Sequence, residues 1–186
     1  MKLSPKEILK PAAALLIICV VATALLALTN GVTAARIAET EREKALASRR
    51  TVMPDAADFG EEQTYESLTY CAALDADGSI VGRVYTAAAK DYGGTVGVMV
   101  GIGADGKITG IEILSHSETP GLGANSTKPA FKNRFVGKSG TLTVSKTSND
   151  GENVQAITAA TITSKAVTSA VNAALAADRA IEGGAS

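Results

Sequence analysis

The sequence predicts an α+β domain, a mostly antiparallel sheet packed by a C-terminal helix, preceded by one N-terminal transmembrane helix. Three observations predict it. An uncharged apolar stretch lies near the start, alternating apolar residues joined by Asp-Gly turns fill the middle, and an amphipathic, alanine-rich stretch closes the chain.

Pro11–Leu28 holds 18 residues without a charge. At about 1.5 Å per residue that length just crosses a hydrocarbon core of about 30 Å. Lys2, Lys6 and Lys10 precede it, and Arg36 with the mixed run Glu39–Lys44 follows. The positive-inside rule then leaves the N-terminus in the cytoplasm and exports the rest. A cleaved signal peptide is the competing reading, with Thr33-Ala34-Ala35 as its cleavage segment, but its apolar region is usually only about 7–15 residues. A lipoprotein signal is excluded because Ile17 and Ile18, not small residues, precede Cys19. The expected organisation is a cytoplasmic N-terminus over 1–10, an anchor over 11–32, a helical stalk over 33–54 and an extracytoplasmic domain over 55–186. The stalk is charged and alanine-rich, and Val52-Met53-Pro54 ends it.

In the exported domain, Leu68–Ala73 and Ser79–Thr86 flank the turn Asp75–Gly78 and read as a hairpin. Val96, Val98, Val100 and Ile102 share one face of the strand Thr95–Ile102, with Gly97, Met99 and Gly101 opposite. The turn Ala104–Lys107 leads into Ile108–Ser115, the strongest hairpin signal in the chain. Lys128–Gly137 has the spacing of a short helix, with Phe131 and Phe135 four apart. Thr141–Lys146 and Val154–Thr158 are further strands. Ser164 to about Ile181 is the closing helix, its stripe formed by Val167, Val171, Ala174 and Ile181.

Composition narrows the chemistry. The net charge of −1 and the absence of a basic patch exclude nucleic acid as a partner. Cys19 lies in the apolar stretch and leaves Cys71 without a mate, which excludes a disulfide framework, an iron–sulfur cluster and a thiolate zinc site within one chain. His116 is the single histidine. Redox work here needs an outside cofactor.

Two stretches carry chemistry. In Ile157–Ala166 the hydroxyls of Thr158, Thr161, Thr163 and Ser164 crowd a helix entry among small residues, with Lys165 beside them. A helix N-terminus suits a phosphate; ordinary capping by Thr163 or Ser164 is the plainer reading. In His116–Ala124 a Pro-Gly-Leu-Gly loop offers bare backbone at Gly121 and Gly123, and Leu122 can cover a planar ring; a ligand-free turn is the alternative.

Taken together, His116-Ser-Glu-Thr-Pro-Gly-Leu-Gly123, the downstream Thr158-Ala-Ala-Thr-Ile-Thr-Ser-Lys-Ala-Val167, Tyr92-Gly93-Gly94 and Gly106–His116 resemble the covalent FMN-binding domain family. More narrowly, the pattern resembles the G subunits of Rnf complexes, membrane-bound ferredoxin:NAD⁺ oxidoreductases that pump Na⁺ or H⁺. The resemblance covers nearly the whole chain. It implies an electron-carrier subunit with FMN esterified through its phosphate to Thr161. It further implies that Thr158, Ala160, Thr163, Ser164 and Lys165 surround the phosphate, and that Glu118, Thr119, Gly121, Leu122 and Gly123 line the isoalloxazine. His116 orients the loop by hydrogen bonding. Ala159 stands where the family usually has glycine, and Gln155 where it often has aspartate. The implied partners are the other subunits (A, B, C, D and E type), the bacterial or archaeal cytoplasmic membrane and an FMN transferase for maturation. The chain is then a redox subunit of a translocase, with no complete active site of its own and no catalytic residue or metal ligand. The C subunit of the Na⁺-translocating NADH:quinone reductase, an exported flavin reductase acting alone and a non-redox scaffold are the alternatives.

Overall fold

The computed structural model describes residues 5–90, 94–116 and 120–183. The chain divides into two units, Met1–Ala45 and Leu46–Ser186.

The first unit is helical. Helix α1 runs Pro5–Val52, so the expected anchor and stalk form one uninterrupted helix that ends at the expected break. Its segment Pro11–Ala34, 24 residues, is long and apolar enough to cross a membrane. The apolar side chains there face outward, with Leu16 65% and Leu26 72% exposed. The threonines hide their polarity within the helix. Thr23, Thr29 and Thr33 donate their hydroxyl protons to the carbonyls of Cys19, Leu25 and Thr29, one turn back, at 2.7–2.8 Å. In lipid, where water offers no partner, that arrangement leaves no hydroxyl donor of the three unmet.

The second unit is built on an antiparallel sheet. Its strands are β1 (Asp58–Phe59), β2 (Gln63–Tyr65), β3 (Leu68–Leu74), β4 (Ile80–Lys90), β5 (Thr95–Gly103) and β6 (Ile108–Ser115). They lie in the order β1-β3-β4-β5-β6, with β2 also on β3. The two Asp-Gly turns close the hairpins as expected. Asp75 Oδ1 accepts the N–H groups of Asp77 and Ser79 at 2.9 and 2.8 Å, and Gly78 has φ +81°. Asp105 Oδ1 accepts the Lys107 N–H at 3.1 Å. Such Asx turns reverse a chain without help from the core.

After β6 come helix α2 (Pro129–Lys132), strands β7 (Thr143–Ser145) and β8 (Asn153–Gln155), and helix α3 (Thr161–Gly183). Strands β7 and β8 form a separate two-stranded sheet and pair in parallel, Val144 opposite Val154. The helix expected over 128–137 is a single turn, followed by turns to Gly137. Its two phenylalanines are buried and meet edge to face at 5.3 Å.

Both sheet faces are covered. On one, Val98, Val100, Ile102 and Ile111 pack with Val167, Val171, Ala174 and Leu175 of α3 and with Phe135. The alanines of α3 let it lie close, and each buried valine contributes about 1.5–3 kcal/mol. On the other face, Val52 and Met53 pack with Cys71, Ala73, Val84 and Met99. Glycine makes that seat: a Cβ at Gly101 would stand 2.3 Å from the Val52 carbonyl oxygen, and one at Gly82 2.8 Å from Met53 Cε. The Thr109 hydroxyl donates to the Val52 carbonyl there.

Candidate functional site

Between β8 and α3 the chain reverses at Ile157-Thr158-Ala159-Ala160. The Ala160 N–H donates to the Ile157 carbonyl at 3.0 Å. Ala159 has φ +62° and Thr158 does not share the positive φ, which is the pattern of a type II turn. A side chain held in this left-handed conformation costs about 1 kcal/mol.

Ser164 staples the turn from inside. Its fully buried hydroxyl accepts the Ile157 N–H and donates to the Ala160 carbonyl, both at 2.9 Å. The Ser164 N–H also reaches that carbonyl at 3.0 Å, so the first helical bond closes on Ala160. Helix α3 therefore begins at Thr161, three residues before the expected start, because the turn already delivers the chain in helical direction. The N–H groups of this first turn have no helical carbonyl to reach, and the helix dipole favours negative charge beside them.

The expected phosphate residues divide by burial. Thr158 and Lys165 are exposed and Thr161 is half-buried, whereas Ala160, Thr163 and Ser164 are buried. Lys165 follows Thr161 by four residues and so lies over the same side of the helix.

The other expected stretch is the loop after β6. His116 is half-buried, and Glu118 and Thr119, like Tyr92 and Gly93, lie outside the described residues. Gly121 has φ +82° and an added Cβ would meet nothing, so its requirement is conformational. Leu122 is 44% exposed, with φ −113° and ψ −105° away from the populated regions. Gly123 is buried and opens a 3₁₀ turn, Gly123–Thr127. Asn125 ties this turn back through its Nδ2, which donates to the Gly121 carbonyl at 2.8 Å.

A groove of about 280 Å³ opens beside the turn at Ile157 and Thr158. Asn125, Lys128, Phe131 and Arg134 form one side, and Gln155, Ala156, Ile157 and Thr158 the other. A second, more open groove of about 480 Å³ is lined by Ala88, Ala89 and Lys90 of β4 with Ile162, Lys165 and Ser169 of α3. Among the described residues, each groove has two cationic residues in its lining and neither has a carboxylate. A hydroxyl at a helix mouth, the first-turn amides and cationic walls fit a phosphate-bearing cofactor. Asn125, Lys128 and Arg134 are not expected from sequence. Once Phe131 and Phe135 take the core side of 128–137, the neighbouring polar residues are left facing outward, which is the signal that finds them.

A different polar cluster sits near the far end of α3. Asp178, 2% exposed, accepts from the Tyr85 hydroxyl at 2.8 Å and from Arg83 Nη1 at 3.1 Å, and Arg83 also reaches Glu182 at 3.1 Å. Burial pushes the Asp178 carboxyl up from its ordinary value, against the opposing pull of Tyr85 and Arg83. Burial, then the bond to Asp178, drives the Tyr85 phenol well above the usual tyrosine range. Tyr85 stacks on Tyr70 at 5.6 Å.

Residues 91–176 match the family of the FMN-binding domain, and residues 1–52 match the RnfG N-terminal region. The chain is similar to the G subunit of the Na(+)-translocating ferredoxin:NAD(+) oxidoreductase complex of Acetobacterium woodii, with 41% identity over 90% of this chain and 89% of that protein. It is likewise similar to the G subunit of the ion-translocating oxidoreductase complex of Methanosarcina acetivorans, with 37% identity over 91% and 94% of the two chains. Among solved structures, NqrC of Shewanella oneidensis shares the fold, with a TM-score of 0.50 and 20% identity over 64% of this chain and 65% of that one.

Proposed function

The chain belongs to the RnfG family, the G subunits of Rnf-type ion-translocating oxidoreductase complexes, and from that premise we propose that it is the membrane-anchored electron carrier of such a complex, with FMN esterified to Thr161. The observation that supports this reading is the mouth of α3, where exposed Thr158 and half-buried Thr161 lie beside cation-lined grooves.

FMN supplies one- and two-electron transfer when bound, and the protein's part is retention, orientation and tuning. Thr161 provides the attachment. The Thr161 hydroxyl would hold the FMN phosphate as an ester, its proton leaving with the group displaced from an activated flavin nucleotide. The chain gains one FMN less one water. The first-turn amides and Lys165 hold the phosphate charge, with Thr158 alongside. Gly121, Leu122 and Gly123 would line the isoalloxazine and His116 would orient that loop, with the same role proposed for Glu118 and Thr119, which lie outside the described residues. Thr163, Ser164 and Ala160 support the attachment from beneath.

An ester bond keeps the cofactor with a domain exposed outside the cytoplasm, where a dissociated flavin is lost. Lys2, Lys6 and Lys10 before the span support a cytoplasmic N-terminus, with the FMN domain on the extracytoplasmic side. Electrons pass to and from sister subunits in the membrane. The span Pro11–Ala34 carries no Asp, Glu, Lys, Arg or His, so the ion path belongs to those subunits.

The test is in-gel fluorescence after SDS denaturation of full-length chain co-produced with an FMN transferase. Wild type fluoresces, Thr161→Ser retains signal and Thr161→Ala is dark. A fluorescent Thr161→Ala protein would move the attachment to another hydroxyl.

A further inference from the structure

Arg134 is held more firmly than a groove-lining cation needs to be. Its Nη1 donates to the Gln155 carbonyl at 2.6 Å and to the Ala156 carbonyl at 3.3 Å. Its Nε donates to the Ala130 carbonyl at 3.1 Å, and the guanidinium lies 5.7 Å from the Phe131 ring centroid. A planar donor fork bonded through both Nε and Nη1, with its carbon over a ring, cannot reorient freely. Its two outward bonds therefore fix consecutive peptide planes immediately before Ile157.

Those planes lead into the turn at Ile157–Ala160, where Ala159 holds its left-handed backbone. A strained conformation persists only where its surroundings over-determine it. On the helix side Ser164 supplies that constraint through Ile157 and Ala160. On the strand side, Ala156 N–H bonds the Ser145 carbonyl at 2.7 Å, and Arg134 takes the two carbonyls. Thr161 follows directly, so any relaxation of the turn moves its hydroxyl.

We propose that Arg134 is a positioning residue: its grip on the Gln155 and Ala156 carbonyls holds the Ala159 turn in the geometry that presents Thr161 for flavin attachment. The proposal rests on the reading of Thr161 as the attachment residue, but its structural half is measurable without flavin. Neutralising the side chain frees the turn to relax away from the left-handed state. Replacing Ala159 by glycine removes the strain, so the turn no longer needs the clamp. The two changes are therefore coupled, and their coupling separates positioning from general loss of stability.

The experiment uses full-length chain in detergent as wild type, Arg134→Gln, Arg134→Lys, Ala159→Gly and the Arg134→Gln/Ala159→Gly pair. Amide exchange of the Ala160 N–H is measured in protein made without an FMN transferase. The initial rate of flavin incorporation is measured with the transferase. Arg134→Gln is expected to lower both Ala160 protection and incorporation rate about tenfold, a barrier change of one decade. Arg134→Lys, which keeps charge but not the fork, recovers only part of each. The pair returns to within about twofold of wild type. Unchanged Ala160 protection in Arg134→Gln would overturn the proposal, and so would a loss that Ala159→Gly fails to rescue. A wild-type chain that takes up no flavin sinks the cofactor reading instead, and the exchange result still decides whether Arg134 clamps the turn.

Discussion

The first turn of α3, around Thr161, and its penultimate turn, around Asp178, both carry several polar side chains. At the Asp178 end they are spent on one another. The carboxylate is buried and takes donors from Tyr85 and Arg83, and Arg83 is shared with Glu182. At the Thr161 end, Thr158 and Lys165 stay exposed, two cation-lined grooves open beside them, and Ala159 sits in a strained conformation. Thr163 and Ser164 are the exceptions: both are buried, and the Ser164 hydroxyl is turned inward to close the turn. One helix thus has a sealed end that anchors it to the sheet and an open end that can take a ligand. Local rules are expected to be broken at functional sites and obeyed elsewhere, and these two ends follow that division.

Three substitutions put the contrast between the ends to the test. The largest effect is expected at the sealed end. Asp178→Ala leaves the buried Tyr85 hydroxyl without its acceptor and Arg83 with Glu182 alone, and should cost about 3–5 kcal/mol in denaturant unfolding. Whatever protein remains folded should still take flavin at Thr161. Equal loss of flavin in the folded fraction would show that the ends are not independent.

Tyr85→Phe is milder, about 1–2 kcal/mol, because only one hydrogen bond is lost. It also carries a pH signature. The folded Tyr85 phenol has its pKa raised, so below the ordinary tyrosine value of about 10 its contribution is fully present. As pH climbs above that value the unfolded chain ionises first, and stability falls. Thermal melts from neutral to alkaline pH should show a shallower decline in Tyr85→Phe than in wild type.

Ala159→Gly is the smallest change. It relieves the left-handed strain and should stabilise the chain by about 1 kcal/mol, without loss of flavin attachment. A destabilised Ala159→Gly would mean that the turn carries no strain.

Much of this fold is readable along the chain because its signals are local. The β5–β6 hairpin announces itself by alternation and Asp-Gly, and β6 is found at the expected Ile108–Ser115. The break after α1 is equally local. Signals that depend on distant partners are missing. Strands β1 and β2 hold two and three residues, too few for a period to show. The parallel pairing of β7 with β8 has no marker in either segment. Glycines at 82 and 101 are visible in the sequence, but their neighbours, the Ile102 carbonyl and Met53 side chain at one and the Val52 carbonyl at the other, are not. The site shows the same split. Thr161 and the Gly-Leu-Gly loop stand out as motifs. Arg134 does not, because its acceptors are main-chain carbonyls about twenty residues downstream, and carbonyls have no letter. Capping rules point to a hydroxyl at the start of α3 and so to Thr163 or Ser164, whereas the residue before its first helical position is Ala160.

The central claim is a covalent bond between Thr161 and FMN, and the mass of one peptide tests it most directly. Trypsin should release residues 147–165 from protein purified from its native membrane. The account predicts that this peptide carries the mass of one FMN less one water, localised to Thr161 by fragmentation. A bare peptide, or the added mass on Thr158 or Thr163, would contradict it.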